Sequence, residues 1–146
     1  MYQGLLDLHS YWAIGVLGLL FIAIINSFIG LSRKRPFTTQ DRRIAMIALI
    51  FSHIQLVLGI LLLLFNDKLD NAKALGMGGI MKSPALRLIF VEHPFVNIIA
   101  LTLITIGWSK HKRTEEDTKK FKFIGVFYVI GLILLLSRIP WSQWLS

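Results

Sequence analysis

Four apolar blocks, each long enough to cross a bilayer as a helix, govern what this chain can fold into. A hydrocarbon core of about 30 Å takes roughly 20 helical residues. The blocks run from about Tyr11 to Leu31, from Ile44 to Phe65, from Leu88 to Trp108, and from Phe123 through Ile139 to Trp144. Arg87, Glu92 and His93 interrupt the start of the third. The first is not read as a cleaved signal peptide. No basic stretch precedes it, it exceeds the length of a signal's apolar core, and basic residues follow it. Composition agrees: 55% of the 146 residues are hydrophobic and 16% charged, against about 25% charged in soluble domains. A disordered chain, a collagen-like repeat and most soluble enzymes are thereby excluded. The absence of cysteine excludes disulfides, thiolate metal sites, thiol nucleophiles and CxxCH haem attachment.

The charge of +8 is unevenly spread. Five of the sixteen basic residues lie in Ser32–Arg43 (Arg33, Lys34, Arg35, Arg42, Arg43). Six more lie in Ser109–Lys122 (Lys110, Lys112, Arg113, Lys119, Lys120, Lys122), and residues 1–10 hold none. The positive-inside bias puts these two loops in the cytoplasm and both termini outside. Short connections favour antiparallel neighbours. The fold expected is therefore one all-α domain over residues 1–146, an integral membrane four-helix up-down-up-down bundle, N-out and C-out. Its connections are basic loops at 32–43 and 109–122 and an outer loop at 66–87. Tyr11, Trp12, Trp141 and Trp144 fit an outer aromatic belt, and Trp108 an inner one. The basic loops read as topology signals facing anionic lipid. They lack the interleaved aromatics of a nucleic-acid site, so no nucleic acid is expected as a partner.

Local signals mark the helix ends. Thr38-Thr39-Gln40-Asp41 reads as an N-cap region for the second span. Ser83-Pro84 reads as N-cap and N1 of the third, and Pro94 is expected to kink it. The outer loop, with Gly76, Gly78 and Gly79, is expected to be mobile, with a half-turn on the interface.

Polar groups inside spans are costly and usually face the bundle interior. Counting along each helix places His53 near the midplane, ~2 Å inward. His93 then lies ~8 Å outward, Arg138 ~7 Å outward, Glu92 slightly further, and His9 ~18 Å outward at the interface. His53 is either a ligand or part of a hydrogen-bonded contact with Ser52, Gln55 or Asn97. His93 is either a ligand aimed inward beside Pro94 or part of a helix-entry cluster. Glu92 and Arg138 are expected to pair, as a structural lock or with Arg138 as an anion clamp. His9 reads as an interfacial residue or a ligand. His111, within Lys110-His111-Lys112-Arg113, is expected to be a solvated loop residue.

Inward histidines without cysteine point to b-type haem, because imidazole suits iron and two axial imidazoles leave it six-coordinate. The axial pair expected is His53 with His93, the propionates meeting Arg138, His9 and the Trp141 indole. The alternative pair is His9 with His93. Three histidines plus Glu92 also allow direct binding of zinc, copper or iron. Paired carboxylates and a recognisable Ser/His/Asp set are absent, so hydrolytic chemistry is not expected.

Several segments carry a family resemblance: Leu8-His9-Ser10, Pro36-Phe37-Thr38, Ser52-His53-Ile54-Gln55-Leu56 with Gly59, Val91-Glu92-His93-Pro94, Ile104-Thr105-Ile106-Gly107 and Arg138-Ile139-Pro140-Trp141 with Trp144. Together they resemble a family of short bacterial four-helix membrane proteins labelled cytochrome B or cytochrome-b-like. The resemblance covers nearly the whole chain and is weakest over Asn66–Lys82. It implies a multi-pass protein of the bacterial inner (cytoplasmic) membrane that binds haem b and takes part in electron transfer. The positions carried over are His9, His53, Glu92, His93, Arg138 and Trp141. Two-haem membrane b cytochromes use two histidine pairs, whereas this chain has residues for one haem at most. Partners compatible with this reading are the bilayer, a quinone, a larger respiratory complex or a second copy of the chain. Two other functions remain open. One is a non-catalytic membrane subunit or assembly factor with a structural polar network. The other is a quinone- or metal-binding protein or a transport element.

Overall fold

The computed structural model describes residues 1–144; the last two residues of the domain expected over 1–146 lie outside the described residues. The chain is all-helical, and among the described residues there is no strand. In order it forms α1 (Tyr2–Arg33), α2 (Thr39–Leu64), α3 (Leu69–Lys82), α4 (Pro84–Arg87), a π-turn (Leu88–Glu92), α5 (His93–Lys112), α6 (Asp117–Ser137) and α7 (Trp141–Trp144). Four helices are long and apolar enough to cross a membrane: Tyr2–Arg33, Thr39–Leu64, Pro84–Lys112 and Asp117–Ser137. This is a multi-pass membrane protein. Large apolar side chains such as Ile14, Phe21, Val57, Phe95 and Ile133 are exposed on the outside of the helices, as hydrocarbon requires.

The core runs along the centre of the four long helices through Leu20, Ala23, Ala48, Ile104, Ile124 and Tyr128. Helix α1 packs against α2 and α6, and α5 against α6; the contact of α2 with α5 is the least extensive of these four. Glycines set the close approach of α5 to α6. A Cβ on Gly131 would stand 2.6 Å from Ile104 Cγ1, and one on Gly107 would stand 2.9 Å from the Phe123 carbonyl oxygen. Small residues permit such approaches where no hydrophobic force joins helices in lipid. The Tyr128 hydroxyl donates to the Ala45 carbonyl at 2.8 Å, tying α6 to α2 through the middle of the core.

The basic connections close one end of the bundle. Asp41 accepts from the Thr38 backbone N–H at 2.8 Å and its own N–H donates to the Thr38 hydroxyl, a capping box at the position the sequence marks. The same carboxylate holds Arg35 in a fork, Nη1 to Oδ2 at 2.8 Å and Nη2 to Oδ1 at 2.9 Å. Asn26 completes the cluster, donating to Asp41 Oδ1 and accepting from Arg35 Nη2. Arg35 is thus a structural cation as well as part of a basic loop.

His111 departs from the expectation of a solvated loop residue. It is 2% exposed, its Nδ1–H donates to the Trp108 carbonyl, and its ring lies 4.5 Å from Trp108 and 5.4 Å from Phe37. Helix α5 continues through Lys112, so His111 occupies a helix face that Phe37 of the other loop covers.

Three further features differ from the sequence reading. The disturbance at Pro94 takes the form of a π-turn over Leu88–Glu92, closed by the His93 N–H on the Leu88 carbonyl. Pro94 lacks the N–H that would continue the α-helical ladder, and the wider turn just before it absorbs the defect. The outer loop is largely helical: α3 spans Leu69–Lys82 with a break at Gly76, whose φ of 70° suits glycine. The fourth long helix stops at Ser137 rather than running to Trp144, because Pro140 cannot donate and disfavours a helical Ile139.

Candidate functional site: a cavity between two histidines

Away from the basic end, α1, α2, α5 and the chain after α6 enclose two cavities of about 180 and 580 Å3, both walled by His9, Gln55, His93 and Asn97. Ligand sites typically occupy about 300–1,000 Å3. The first is otherwise largely apolar, lined by Val16, Leu56, Leu101 and Leu135 among others, and no Lys, Arg, Asp or Glu among the described residues lines it.

His9 from α1 and His93 from α5 face each other there. Their ring centroids are 6.4 Å apart and their planes stand at 83°. His93 Nδ1 lies 2.8 Å from the Arg138 carbonyl oxygen. A carbonyl only accepts, so Nδ1 carries the proton and Nε2 keeps its lone pair. That carbonyl is free for His93 because α6 has already ended. Asn97 Nδ2 lies 3.4 Å from Nδ1 and 3.2 Å from Nε2 of His93. An atom so nearly equidistant from both nitrogens sits over the ring face, since the Cε1–H bars an in-plane approach. The in-plane lone pair of His93 Nε2 is therefore not taken by Asn97.

His9 is positioned from α2. Gln55 Nε2 donates to the His9 carbonyl at 2.9 Å and lies 3.5 Å from His9 Nε2. Gly59 clears the space for the imidazole: a Cβ there would stand 3.3 Å from His9 Cε1. One turn along α1, Trp12 stacks on Phe51 at 4.3 Å and donates its indole N–H to the Phe51 carbonyl at 2.9 Å, fixing the register of the two helices beneath His9. His9 Nδ1, Gln55 Oε1 and Asn97 Oδ1 are buried without a hydrogen-bond partner among the described residues. Buried polar atoms find a partner, protein or water, in the large majority of native sites, and three such atoms on residues that wall one cavity make it the candidate site.

The other expected site residues lie elsewhere. His53 is exposed on α2 and lines neither cavity. Its Nδ1–H donates to the Leu49 carbonyl at 2.8 Å, and its Nε2 lies 3.3 Å from the Thr105 hydroxyl. The histidines brought together are His9 and His93, not His53 and His93. Glu92 binds Arg87 Nε at 2.9 Å on its own helix and reaches Arg138 Nε at 3.8 Å, so the expected pair is the weaker arm of a three-residue cluster that includes Arg87. Arg138 contributes its backbone carbonyl to the site. Trp141 donates its indole N–H to the Leu136 carbonyl at 3.2 Å and lines neither cavity. Among the described residues no three His, Asp or Glu side chains are grouped to hold a bare metal ion.

Gln55 and Asn97 are the site residues the sequence reading left in the background. Both are amides within apolar blocks, so the signal was present. Ranking titratable groups first hid it. No family model, curated protein or solved structure matches the chain.

Proposed function

We propose that this chain is a b-type cytochrome-like protein of the bacterial cytoplasmic membrane that holds one haem through His9 and His93 and takes part in electron transfer. The basic connections lie on the cytoplasmic side, both termini outside, and the four spans run up-down-up-down. The observation that carries the reading is the perpendicular pair of imidazoles 6.4 Å apart across a cavity, one of them with its Nδ1–H fixed on a backbone carbonyl. Such an outer hydrogen bond sets the tautomer and raises the basicity of a ligating imidazole. The fit to the group rests on His93, whose Nε2 keeps the lone pair iron would take, and on His9, which would bind with its Nδ1 only in the tautomer that carries the proton on Nε2 beside Gln55. Two guanidinium groups share the single carboxylate of Glu92, and the remaining positive charge suits propionates. Haem held by two protein ligands exchanges single electrons and leaves no position open for oxygen.

In this reading the protein orients two rings, excludes charge from the apolar cavity, and holds the His93 proton on Nδ1. The motif resemblance to the cytochrome-b-like family supports the same conclusion. The test is the visible spectrum of the protein purified from haem-replete membranes. A reducible low-spin haem is expected in the wild type and in His53→Ala, and its loss in His9→Ala and His93→Ala. Loss in His53→Ala with retention in His9→Ala overturns the pair; absence of haem in the wild type overturns the reading.

A further inference from the structure

The smaller cavity reaches into the seam between α2 and α5, whose contact is the least extensive of the four helix pairs, while α1, Leu135 and the chain after α6 close its other sides. Ser52, Gln55 and Gly59 form one wall and His93, Asn97 and Leu101 the other. Ile60 of α2 and Ile98 of α5 also line it, yet they are 47% and 49% exposed. Both residues sit on helices long and apolar enough to cross a membrane, where an exposed isoleucine meets hydrocarbon, which sets the bilayer beside this flank of the cavity.

The facing walls each carry an amide. Gln55 Oε1 and Asn97 Oδ1 are both buried acceptors without a protein donor among the described residues. The orientation of Gln55 is fixed, because its amide NH2 must face the His9 carbonyl and its oxygen then points away. A buried acceptor left unmet is costly, and what meets it must bring N–H or O–H. An acceptor-only ring, such as a quinone, would set lone pair against lone pair at Gln55 Oε1. An anion would find no Lys or Arg in this wall among the described residues.

We propose that the α2–α5 seam admits, from the bilayer, an uncharged amphiphile of the phenol or alcohol class. Its hydroxyl gives its one proton to Gln55 Oε1, the amide whose orientation is fixed, its oxygen accepts from the Asn97 NH2 on the facing wall, and its apolar body lies between Ile60 and Ile98. The inference rests on the reading of the chain as bilayer-spanning; because His9 and His93 wall the same cavity as the two amides, haem held between them would compete with the phenol for it.

The probes are 4-nonylphenol and its methyl ether, which has the same body and no donor. Each is partitioned between empty nanodiscs and nanodiscs carrying the full chain. The phenol is expected to bind the protein at least tenfold more tightly than the ether. Gln55→Leu and Asn97→Leu, checked for unchanged helical content and unfolding midpoint, are each expected to lose about tenfold for the phenol and little for the ether. Ile98→Trp, which narrows the mouth without touching either amide, is expected to slow uptake of both probes. Equal binding of phenol and ether, or wild-type phenol affinity in either folded leucine variant, overturns the proposal. Haem content is read on the same samples. Phenol binding without haem removes the cytochrome reading alone, and haem in the purified chain without selectivity for the phenol in its haem-free fraction removes this inference alone.

Discussion

Removing the Asp41 carboxylate should damage the basic end of the bundle more than any other single charge change. Asp41 is 4% exposed. It accepts two bonds from Arg35, one from Asn26 and two from Thr38, so three residues of α1 and the first connection depend on one group of α2. The bond to Asp41 raises the Arg35 guanidinium above its ordinary value, and that cation keeps its charge when the partner is gone. Stranding one member of a fully buried pair costs about 3–5 kcal/mol. The Arg35 side chain is 32% exposed, and water reaching it places Asp41→Ala near the lower end, at about 3 kcal/mol. The assay is a double-mutant cycle on the denaturant stability of the protein in detergent. Asp41→Ala and Arg35→Ala should each be costly, and the double variant should cost clearly less than their sum. If each single change costs under about 1 kcal/mol, as exposed pairs do, and the two add, the cluster does not hold the helices and the reasoning fails.

Three further outcomes are expected. His111→Ala should destabilise the fold by about 2 kcal/mol or more, because it empties a packed position between Trp108 and Phe37; a neutral effect in a thermal melt would return His111 to the solvated loop. Gly107→Ala should push α5 from α6 and cost about 1–3 kcal/mol, since its Cβ would press on Phe127 and the Phe123 carbonyl; wild-type stability would show that the helices do not approach so closely. Arg87→Gln should destabilise more than Arg138→Gln, since the Glu92 contact is 2.9 Å to the first and 3.8 Å to the second; the reverse order would restore Glu92–Arg138 as the main pair.

Local signals carried the elements and not the pairing of residues across the bundle. The capping box at Thr38 and Asp41, Pro84 at the first turn of α4 and the disturbance near Pro94 are short-range effects, written in a few adjacent residues. The choice of His53 rested on depth alone. Depth says how far along a span a residue lies, and the direction it faces is set by packing. Helix α2 is apolar on all sides, so its sequence has no polar stripe to mark the outward face, and His53 lies on that face. A first span counted from Tyr11 sets His9 far from His93, whereas α1 is helical from Tyr2 and brings His9 to the same cavity as His93. The contact of Arg138 with His93 has no sign in side-chain chemistry, because it runs through a main-chain oxygen released by the end of α6.

The most direct measurement is the low-temperature electron paramagnetic resonance spectrum of the oxidised protein. Two axial imidazoles held nearly perpendicular, as His9 and His93 are at 83°, should give the strongly anisotropic low-spin ferric signal with one very large g value. That signal should vanish in His9→Ala and in His93→Ala and persist in His53→Ala. A rhombic spectrum of parallel imidazoles, a signal that survives loss of His9, or no ferric haem at all would contradict the assignment of His9 and His93 as the ligands.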